Sequence, residues 1–349
     1  MEMTDNQLKM MQLRNYQAMP LGAKVTRTKA LIREWYEAHD GMVYLARSGG
    51  KDSDVVADIL YEMYPDVPHV FADTGNELKS VHRHVMEEME RGIPIAVIHP
   101  KMTFWDVCKS EGWPVISKKT CMGILRFINT KSFTQKRLRA YGGINPTSGK
   151  KQQRTIAKKW HHVLRAVLRG DLKVTYKCCG ELKIKPFVMY ERATGRLPIV
   201  GTMACDSETR KESYLNHGGC NAFDQGTPTS RPIMFWTEQS VLEYIYVNKL
   251  PIAGAYGEVV VVGDKYKCTE GDRTGCKFCL FGIHMEKGEN RIQRLARVEP
   301  ESYREFIDNG GDEVMEILGA DWRPFKEPDV QTDMFDARYE IDVKELHGE

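Results

Sequence analysis

A short polar sequence, Ser48-Gly49-Gly50-Lys51-Asp52-Ser53, separates two segments with different patterns. Residues 42–46 before it form an apolar run typical of a buried strand, and residues 55–64 after it have the spacing of an amphipathic helix. Two glycines allow a backbone to close around an anion, a helix start offers unpaired N–H groups, and a lysine adds positive charge. The sequence therefore predicts a phosphate-binding loop between a strand and a helix.

Two other nucleotide-binding sequences are absent from this region. The spacing Gly-x-x-x-x-Gly-Lys-Ser/Thr does not occur, and no Gly-x-Gly-x-x-Gly follows the first predicted strand. The pattern therefore disfavours a kinase or a dehydrogenase. A plain glycine turn is the simpler alternative, but such a turn has no need of Lys, Asp and two Ser in this order.

Strand and helix patterns alternate along the first third of the chain. Predicted strands at residues 42–46, 69–72 and 93–98 are followed by predicted helices at 55–64, 78–90 and 104–111, and a further strand is expected at 197–201. This alternation predicts an α/β fold with a doubly wound parallel sheet. We predict an N-terminal helical segment at 1–40, a nucleotide-binding domain at 41–260 with a basic insertion at 126–173, and a C-terminal module at 261–349.

Further elements are predicted within these divisions. Residues 142–149 indicate a mobile loop, residues 152–168 a helix, and residues 237–248 a helix capped by Thr237. Two short helices are expected near residues 300–308 and 312–318. The length of 349 residues exceeds one average domain, as this division requires.

The composition indicates a soluble protein that works in a reducing compartment. The chain is 42% hydrophobic and 28% charged, has no apolar stretch long enough to cross a bilayer, and does not start like a signal peptide. We therefore predict a cytoplasmic location and no membrane partner. In that compartment the nine cysteines are expected to be thiols or metal ligands rather than disulfides.

The predicted insertion is strongly basic. Residues 126–173 carry thirteen Lys or Arg and one acid, Asp171, so this segment has a net charge of +12 while the rest of the chain has −10. Aromatic side chains lie between the basic ones, among them Phe133, Tyr141 and Trp160. Basic charge attracts a phosphate backbone and rings can stack on bases, so we predict nucleic-acid contact here. The alternative is an ordinary solvated helix and loop.

Four segments together resemble one known family. They are Ser48 to Ser53, then Val70-Phe71-Ala72-Asp73-Thr74-Gly75-Asn76-Glu77, then Cys178-Cys179-Gly180-Glu181-Leu182-Lys183-Ile184-Lys185-Pro186, and finally Trp236-Thr237 at a helix start. The combination resembles the phosphoadenosine phosphosulfate (PAPS) reductase family, in the PP-loop ATP pyrophosphatase superfamily, over about residues 42–297. This family includes sulfonucleotide reductases and the sulfurtransferases of DNA phosphorothioation.

The resemblance implies a Rossmann-like sheet of the adenine nucleotide alpha hydrolase type and a bound ATP or sulfonucleotide. Lys51, Asp52 and Asp73 are the implied catalytic residues, and Asp73 could hold Mg²⁺ on the phosphates or order Lys51. The implied nucleotide contacts are Ser48, Gly49, Gly50, Lys51, Asp52, Ser53, Asp73, Thr74, Gly75, Ser207 and Arg210. Met203 replaces the family's first arginine in the segment around Ser207.

Five cysteines form the predicted metal site. Cys268, Cys276 and Cys279 give the spacing C-x7-C-x2-C, and Cys178 and Cys179 stand upstream as a pair. Thiolates at such spacing bind zinc or an iron–sulfur cluster, and the spacing does not choose between them. The Cys-Cys pair with a distant C-x-x-C resembles the 4Fe-4S site of adenylylsulfate-type reductases. A Cys ahead of C-x-x-C resembles the phosphorothioation sulfurtransferases instead, so Cys178 and Cys268 compete for the fourth position.

The resemblance leaves three functional interpretations. The preferred one is an ATP-adenylating iron–sulfur sulfurtransferase that acts on nucleic acid and receives sulfur from a donor protein such as a cysteine desulfurase. The first alternative, a sulfonucleotide reductase, usually carries a nucleophilic cysteine in a C-terminal Glu-Cys-Gly motif, whereas no cysteine follows Cys279 here. Cys108, Cys121, Cys205 and Cys220 lie alone and are expected to be buried small hydrophobes; Cys121, after Lys118 and Lys119, is alternatively a sulfur carrier if its pKa is lowered. The second alternative is a nucleotide-gated nucleic-acid-binding module.

Overall fold

The structure is a computed structural model that describes residues 4–216, 219–223 and 226–325. The end of the predicted C-terminal module, residues 326–349, lies outside the described residues. The helices are α1 Asp5–Gln17, α2 Leu21–Ala38, α3 Lys51–Met63, α4 Lys79–Glu90, α5 Phe104–Glu111, α6 Lys118–Asn129, α7 Phe133–Tyr141, α8 His161–Arg169, α9 Lys185–Thr194, α10 Glu208–Asn216, α11 Glu238–Asn248, α12 Arg291–Val298, α13 Pro300–Asp308 and α14 Gly311–Leu318. The strands are β1 Val43–Arg47, β2 His69–Ala72, β3 Ile95–Ile98, β4 Val115–Ile116, β5 Gly143–Ile144, β6 Lys151–Gln152, β7 Leu197–Val200, β8 Asn221–Ala222, β9 Thr229–Ser230, β10 Val259–Val262, β11 Lys265–Cys268 and β12 Leu280–Phe281.

The central sheet has the order β3-β2-β1-β7-β9-β8. Five of these strands are parallel, and β8 is antiparallel to β9. The chain fills one side of the sheet with β1, β2 and β3 and later crosses to the other side of β1 with β7. The strand order therefore reverses between β1 and β7, where open α/β sheets bind their ligands. The predicted Rossmann-like fold is confirmed.

Helix α3 begins at Lys51, four residues before the predicted start at residue 55. Gly50 is the extended residue before the helix, and two acids, Asp52 and Asp54, occupy the first turn. Acidic side chains near a helix N-terminus complement the positive end of its dipole, so these polar residues extend the helix into the loop. The phosphate loop and the helix start are therefore one continuous structure.

Two hydrophobic cores support the molecule. One surrounds the sheet and joins α2, α3 and α11 to its strands through residues such as Trp35, Leu45 and Trp236. The other joins the predicted insertion to the C-terminal helices, with Trp160 and Phe306 as two of its buried members. Because the insertion and the C-terminal helices share this second core, they pack as one unit.

The predicted helix over residues 152–168 is wrong in its first half. Lys151–Gln152 is strand β6, which pairs antiparallel with Gly143–Ile144, and the α-helix begins only at His161. Gly142 and Gly143 have φ of +75° and +131°, so the chain turns into a hairpin here instead of a mobile loop. Helical spacing in the sequence concealed this short hairpin.

The described part of the C-terminal region adds the short strands β10 to β12 and the helices α12 to α14. Strands β10 and β11 form a hairpin, and β12, directly after Cys279, pairs in parallel with β4. The short helix predicted at 300–308 is confirmed, and the one predicted at 312–318 begins one residue earlier. Within the described ranges, no helix combines the length and apolar character that crossing a membrane needs.

Candidate functional site

The phosphate loop, residues 48–53, borders a cavity of about 310 Å³ where β1 and β7 diverge. Besides the loop, the cavity is lined by Ala46, Val200, Gly201, Thr202, Asp206, Arg210, Tyr256, Arg273 and Thr274. Gly49 has a φ of +66°, and a side chain there would meet the methyl groups of Val81 and Val85 at 2.8 Å. The loop can therefore close only with glycine at this position. We call this space the phosphate cavity.

Lys51 is buried and fully paired. Its Nζ lies 2.9 Å from Glu238 Oε1 and 3.4 Å from Asp52 Oδ1, and it donates a hydrogen bond of 3.1 Å to the Asp272 carbonyl. Burial acts to lower the pKa of Lys51, but the two carboxylates outweigh it and raise that pKa above its ordinary value. The ammonium group therefore stays charged. Among the described residues Asp73 is not one of its partners.

The carboxyl group of Asp52 has a raised pKa. Burial raises its pKa to about 6, with smaller contributions in the same direction from Glu238 and Asp206, while Lys51 opposes the shift. Its buried Oδ1 makes no hydrogen bond within the described part of the chain, and its nearest cationic contact is the Lys51 ammonium group at 3.4 Å.

A segment of the C-terminal region covers the phosphate loop. Tyr256 accepts a hydrogen bond of 3.3 Å from the Lys51 N–H, and its hydroxyl lies 2.7 Å from Thr274 Oγ1. Together with the Lys51 to Asp272 bond, these contacts fix residues 272–274 against the loop. We call residues 272–274 the covering segment; it ends two residues before Cys276.

Of the two predicted nucleotide contacts in this region, Arg210 lies in α10 and Ser207 directly precedes that helix. Arg210 lines the phosphate cavity and pairs with Asp206, whose second oxygen lies 3.7 Å from Arg273 Nη2. Ser207 accepts a hydrogen bond of 3.3 Å from the Arg210 N–H, so it contributes to the start of α10. Met203, where the family has arginine, is fully buried in the sheet core.

Asp73, Thr74 and Gly75 form a turn after β2 beside a second cavity of about 580 Å³. The Asp73 carboxylate accepts a hydrogen bond of 3.1 Å from the Gly75 N–H and lies 3.3 Å from His82 Nε2 and 3.9 Å from His99 Nδ1. Glu77 accepts a hydrogen bond of 3.1 Å from the Thr74 N–H, which closes the turn. Asp73 therefore faces the neighbouring cavity.

Four of the five predicted cysteines come together. Burial raises the pKa of Cys178, and Cys179, Cys276 and Cys279 add to the shift because they lie nearby. Burial also raises the pKa of Cys279 to about 11, again with Cys276 and Cys179 contributing. We call Cys178, Cys179, Cys276 and Cys279 the cysteine group.

The cysteine group fits a soft metal centre. Its four thiols are free, and thiolate sulfur is the donor that zinc and iron–sulfur clusters take. These donors therefore suit either a zinc ion or an iron–sulfur cluster.

The remaining candidate, Cys268, lies elsewhere. It ends strand β11. Burial raises the pKa of Cys268, Lys51 opposes this shift, and Asp272, Glu238 and Asp52 add to it. Cys121 is a buried thiol, as expected. It is fully buried and donates to the Val115 carbonyl at 2.9 Å, and burial raises its pKa to about 12. The alternative expectation, a sulfur carrier with a lowered pKa, is wrong.

Backbone hydrogen bonds join the cysteine group to the turn after β2. The N–H groups of Lys277 and Phe278 donate to Asn76, at 2.8 Å to its carbonyl and 3.2 Å to its side chain. Lys183 lies 3.4 Å from Glu77, and both Glu77 and Cys276 raise its pKa against the effect of burial. The turn, Lys183 and the C-x-x-C segment thus form one connected unit.

A buried charge network lies beneath the phosphate loop. Arg47, at the end of β1, contacts Asp54 at 3.1 Å and also pairs with Glu88. His84 Nε2 lies 3.2 Å from Asp54 Oδ2, and His69 Nδ1 lies 3.4 Å from Arg47. Asp54, His84 and Glu88 are close enough to hold a cation, but Arg47 already supplies the positive charge there. The network therefore ties α3 and α4 to β1.

The basic insertion presents its charge to solvent. Within the described ranges, Arg169 with Asp171 is the one ion pair that its lysines and arginines make. Phe133, Tyr141 and Ile144 are exposed on the same insertion, at 81%, 64% and 67%. The Trp160 ring packs 4.7 Å from His284, which follows the C-x-x-C segment. The insertion therefore offers unpaired charge and exposed rings, and packs against the segment that follows the C-x-x-C.

Sequence reasoning missed three contributors to this site. Glu238 is the first residue of α11 and resembles an ordinary acid in a first helical turn. Tyr256 and Arg273 lie far from the loop in the sequence and outside its recognisable motifs. Only their neighbours gave a signal, since Thr274-Gly275 stands directly before the C-x-x-C.

Comparison with known proteins agrees with this arrangement. The phosphoadenosine phosphosulfate reductase domain matches residues 42–270. A comparison with curated proteins gives no match. Among solved structures, the chain is similar to the PAPS reductase from Candida auris in its phosphate complex, at 12% identity and a TM-score of 0.38, over 73% of this chain and 91% of that one. Since the domain match spans more than half of the chain, the protein belongs to the PAPS reductase family of nucleotide-binding enzymes.

Proposed function

We propose that the protein binds ATP in the phosphate cavity, adenylates an oxygen of a nucleic acid, and replaces that oxygen with sulfur. The acceptor oxygen attacks the α-phosphorus, the bond to the β-phosphate oxygen breaks, and pyrophosphate leaves. The terminal sulfur of a persulfide on a donor protein such as a cysteine desulfurase then attacks the adenylated centre and displaces AMP. A second thiol attacks the donor cysteine's sulfur and breaks the S–S bond, so the terminal sulfur stays on the acceptor and the two thiol sulfurs leave as a disulfide. We place this activity in the cytoplasm, where thiols stay reduced.

One observation carries the proposal. The covering segment touches the phosphate loop at Lys51 and, two residues later, the chain reaches the cysteine group. Nucleotide activation and sulfur chemistry require two adjoining sites, and this segment joins two sites suited to them. The basic insertion, which packs in the same core as the C-x-x-C segment, supports a polyanionic acceptor.

The chain's own residues have separate roles in this proposal. Lys51 and the N–H groups of the phosphate loop would stabilise the charge that develops on departing pyrophosphate. The Asp52 carboxylate, which shares Lys51 with Glu238, would be an oxygen ligand for the Mg²⁺ of ATP, and Asp73 offers a second carboxylate in the cavity after β2. The cysteine group would hold an iron–sulfur cluster, which supplies a site that carries sulfur or electrons.

A direct assay tests the proposal. Protein purified without oxygen should be brown and should release pyrophosphate from ATP only when DNA or RNA is present. Lys51→Ala should abolish this release, whereas Lys101→Ala, outside the phosphate cavity, should retain it. Colourless protein with one zinc per chain would refute the cluster, and nucleic-acid binding without any nucleotide turnover would instead indicate a binding module.

A second candidate is reduction of a sulfonucleotide to sulfite. The observation that favours it is Cys268, a thiol outside the cysteine group that packs on the small apolar cluster containing Tyr256, a residue lining the phosphate cavity. An internal cysteine at this place could attack the sulfur of a bound sulfonucleotide. Sulfite release without ATP, lost in Cys268→Ser but kept in Cys220→Ser, would establish this reaction and displace the first proposal.

A further inference from the structure

Six charged side chains meet at the phosphate cavity, and their charges balance. Lys51, Arg210 and Arg273 are positive, whereas Asp52, Asp206 and Glu238 are negative. A phosphate binds to the cations through charge-assisted hydrogen bonds, so it must compete with the carboxylates that already occupy them.

Arg273 comes from a different region of the chain than Lys51 and Arg210. It lies outside the region that matches the PAPS reductase domain, residues 42–270, and reaches the cavity on the covering segment. The backbone on both sides of it is fixed, by the Asp272 carbonyl on Lys51 and by Thr274 on Tyr256. Its side chain remains 66% exposed, and Asp206 is its one ion-pair partner within the described residues. Because the backbone is fixed and the guanidinium group is exposed, the Arg273 side chain can move towards a ligand in the cavity without moving the chain.

Asp206 holds two arginines at once. Its nearly buried carboxylate pairs with Arg210 through one oxygen and lies 3.7 Å from Arg273 through the other. The same carboxylate accepts a hydrogen bond of 3.1 Å from the Met203 N–H, so it is fixed in place. A single carboxylate satisfies two guanidinium groups poorly compared with a phosphate, which offers more oxygens and more charge.

We propose that Arg273 is a phosphate-binding residue of this enzyme, and that Asp206 holds it and Arg210 until a phosphate group takes both. This inference rests on the proposed function in that the ligand of the cavity is a nucleotide polyphosphate. The C-terminal covering segment thereby supplies positive charge that the buried Met203 cannot.

The test measures binding of inorganic pyrophosphate in EDTA by titration calorimetry, so that no metal ion contributes. Arg273→Ala should weaken binding about tenfold, which is the loss expected for a charge-assisted contact to an anion. Arg273→Lys should recover part of this loss, because it restores the charge without the planar fork. Lys287→Ala, an exposed cation of the same region outside the phosphate cavity, is the matched control and should bind within about twofold of the original protein.

A second variant separates a ligand contact from a structural role. Asp206→Asn should tighten pyrophosphate binding, because it frees both arginines while the amide oxygen can still accept the Met203 N–H. In the Arg273→Ala background the same change should give a smaller gain, since only Arg210 remains to be freed. A residue needed only for folding would give losses in both backgrounds, which would overturn the proposed role of Asp206.

The outcomes distinguish a failure of the proposed role of Arg273 from a failure of the proposed function. If the original protein binds ATP and pyrophosphate and Arg273→Ala binds them equally well, the role of Arg273 is wrong and the proposed function stands. Absence of any binding of ATP and pyrophosphate by the original protein overturns both. Thermal unfolding of each variant confirms that the exposed substitution at Arg273 leaves the fold intact.

Discussion

The ammonium nitrogen of Lys51 lies 2.9 Å from Oε1 of Glu238, so the central cation of the phosphate loop already has an anionic partner. A phosphate ligand must compete with this partner. Glu238→Gln should therefore tighten binding of inorganic pyrophosphate about threefold, the range expected for a partly exposed ion pair. The measurement is calorimetric affinity, with Glu243→Gln on the same helix as the control. Weaker binding by Glu238→Gln would mean that Glu238 holds Lys51 in its active position.

Gly201 packs directly on the start of α3. A methyl group there would stand 2.8 Å from Ser53 Cα and 3.0 Å from the Asp52 carbonyl oxygen, and neither backbone atom can move cheaply. Gly201→Ala should lower the free energy of unfolding by about 2 kcal/mol and weaken pyrophosphate binding. Gly22→Ala, in an open position on α2, should be neutral or stabilising by up to about 1 kcal/mol. Equal unfolding midpoints for the two variants would contradict the contact.

The buried network predicts a pH dependence of stability. Although burial lowers the pKa of His84, its hydrogen bond to Asp54 and the charges of Asp54 and Glu88 raise it above the ordinary value, against a smaller effect of Arg47. The folded state therefore binds this proton more tightly than the unfolded state. The stability that His84 contributes is present below about pH 6.5 and is lost as the pH rises through the folded-state pKa.

His84→Gln tests this dependence. Its unfolding midpoint should differ most from the original below about pH 6.5, and the difference should shrink at higher pH. The exposed His162→Gln serves as the control and should show a small, pH-independent difference. A gap for His84→Gln that widens with pH would show the opposite sign of the shift.

The raised pKa of Asp52 predicts a pH dependence of anion binding. Its pKa of about 6, raised chiefly by burial, means that the carboxyl is largely neutral below that pH and repels an anion above it. Inorganic sulfate keeps its charge over this range and is the suitable probe. Sulfate affinity should fall about fivefold as Asp52 ionises, and Asp52→Asn should remove this part of the fall. An unchanged pH profile in the variant would assign the effect to another group.

The insertion hairpin predicts a salt-dependent loss of nucleic-acid binding. Lys150, Lys151 and Arg154 are exposed around β6. Their triple alanine variant should bind DNA or RNA more weakly and reduce the slope of log affinity against log salt by about 2 to 3. A triple alanine variant of Arg91, Lys265 and Lys287, exposed outside the insertion, should keep the slope. Loss of slope only in this second variant would move the interface away from the insertion.

The sheet and its loop were predictable because their signals are local. The strand at 69–72 and the helix at 104–111 have the predicted bounds, since each follows its own apolar pattern. The hairpin at Gly143 was not predictable, because two-residue strands leave almost no periodicity. Contacts between distant segments also lay beyond the sequence. No local pattern places Cys178 beside Cys276, or Glu238 on Lys51, because the packing of whole elements brings them together.

The parallel pairing of Leu280–Phe281 with Val115–Ile116 has a consequence for the order of events during synthesis. The sheet can form early, because β1, β2 and β3 follow one another along the chain. The second core, by contrast, includes residues from β4 to α14, so it stays incomplete until residue 318 has left the ribosome. The covering segment, residues 272–274, completes the phosphate cavity only two residues before Cys276. The nucleotide site and the cysteine group are therefore completed together, late in synthesis, on a sheet whose first three strands formed early.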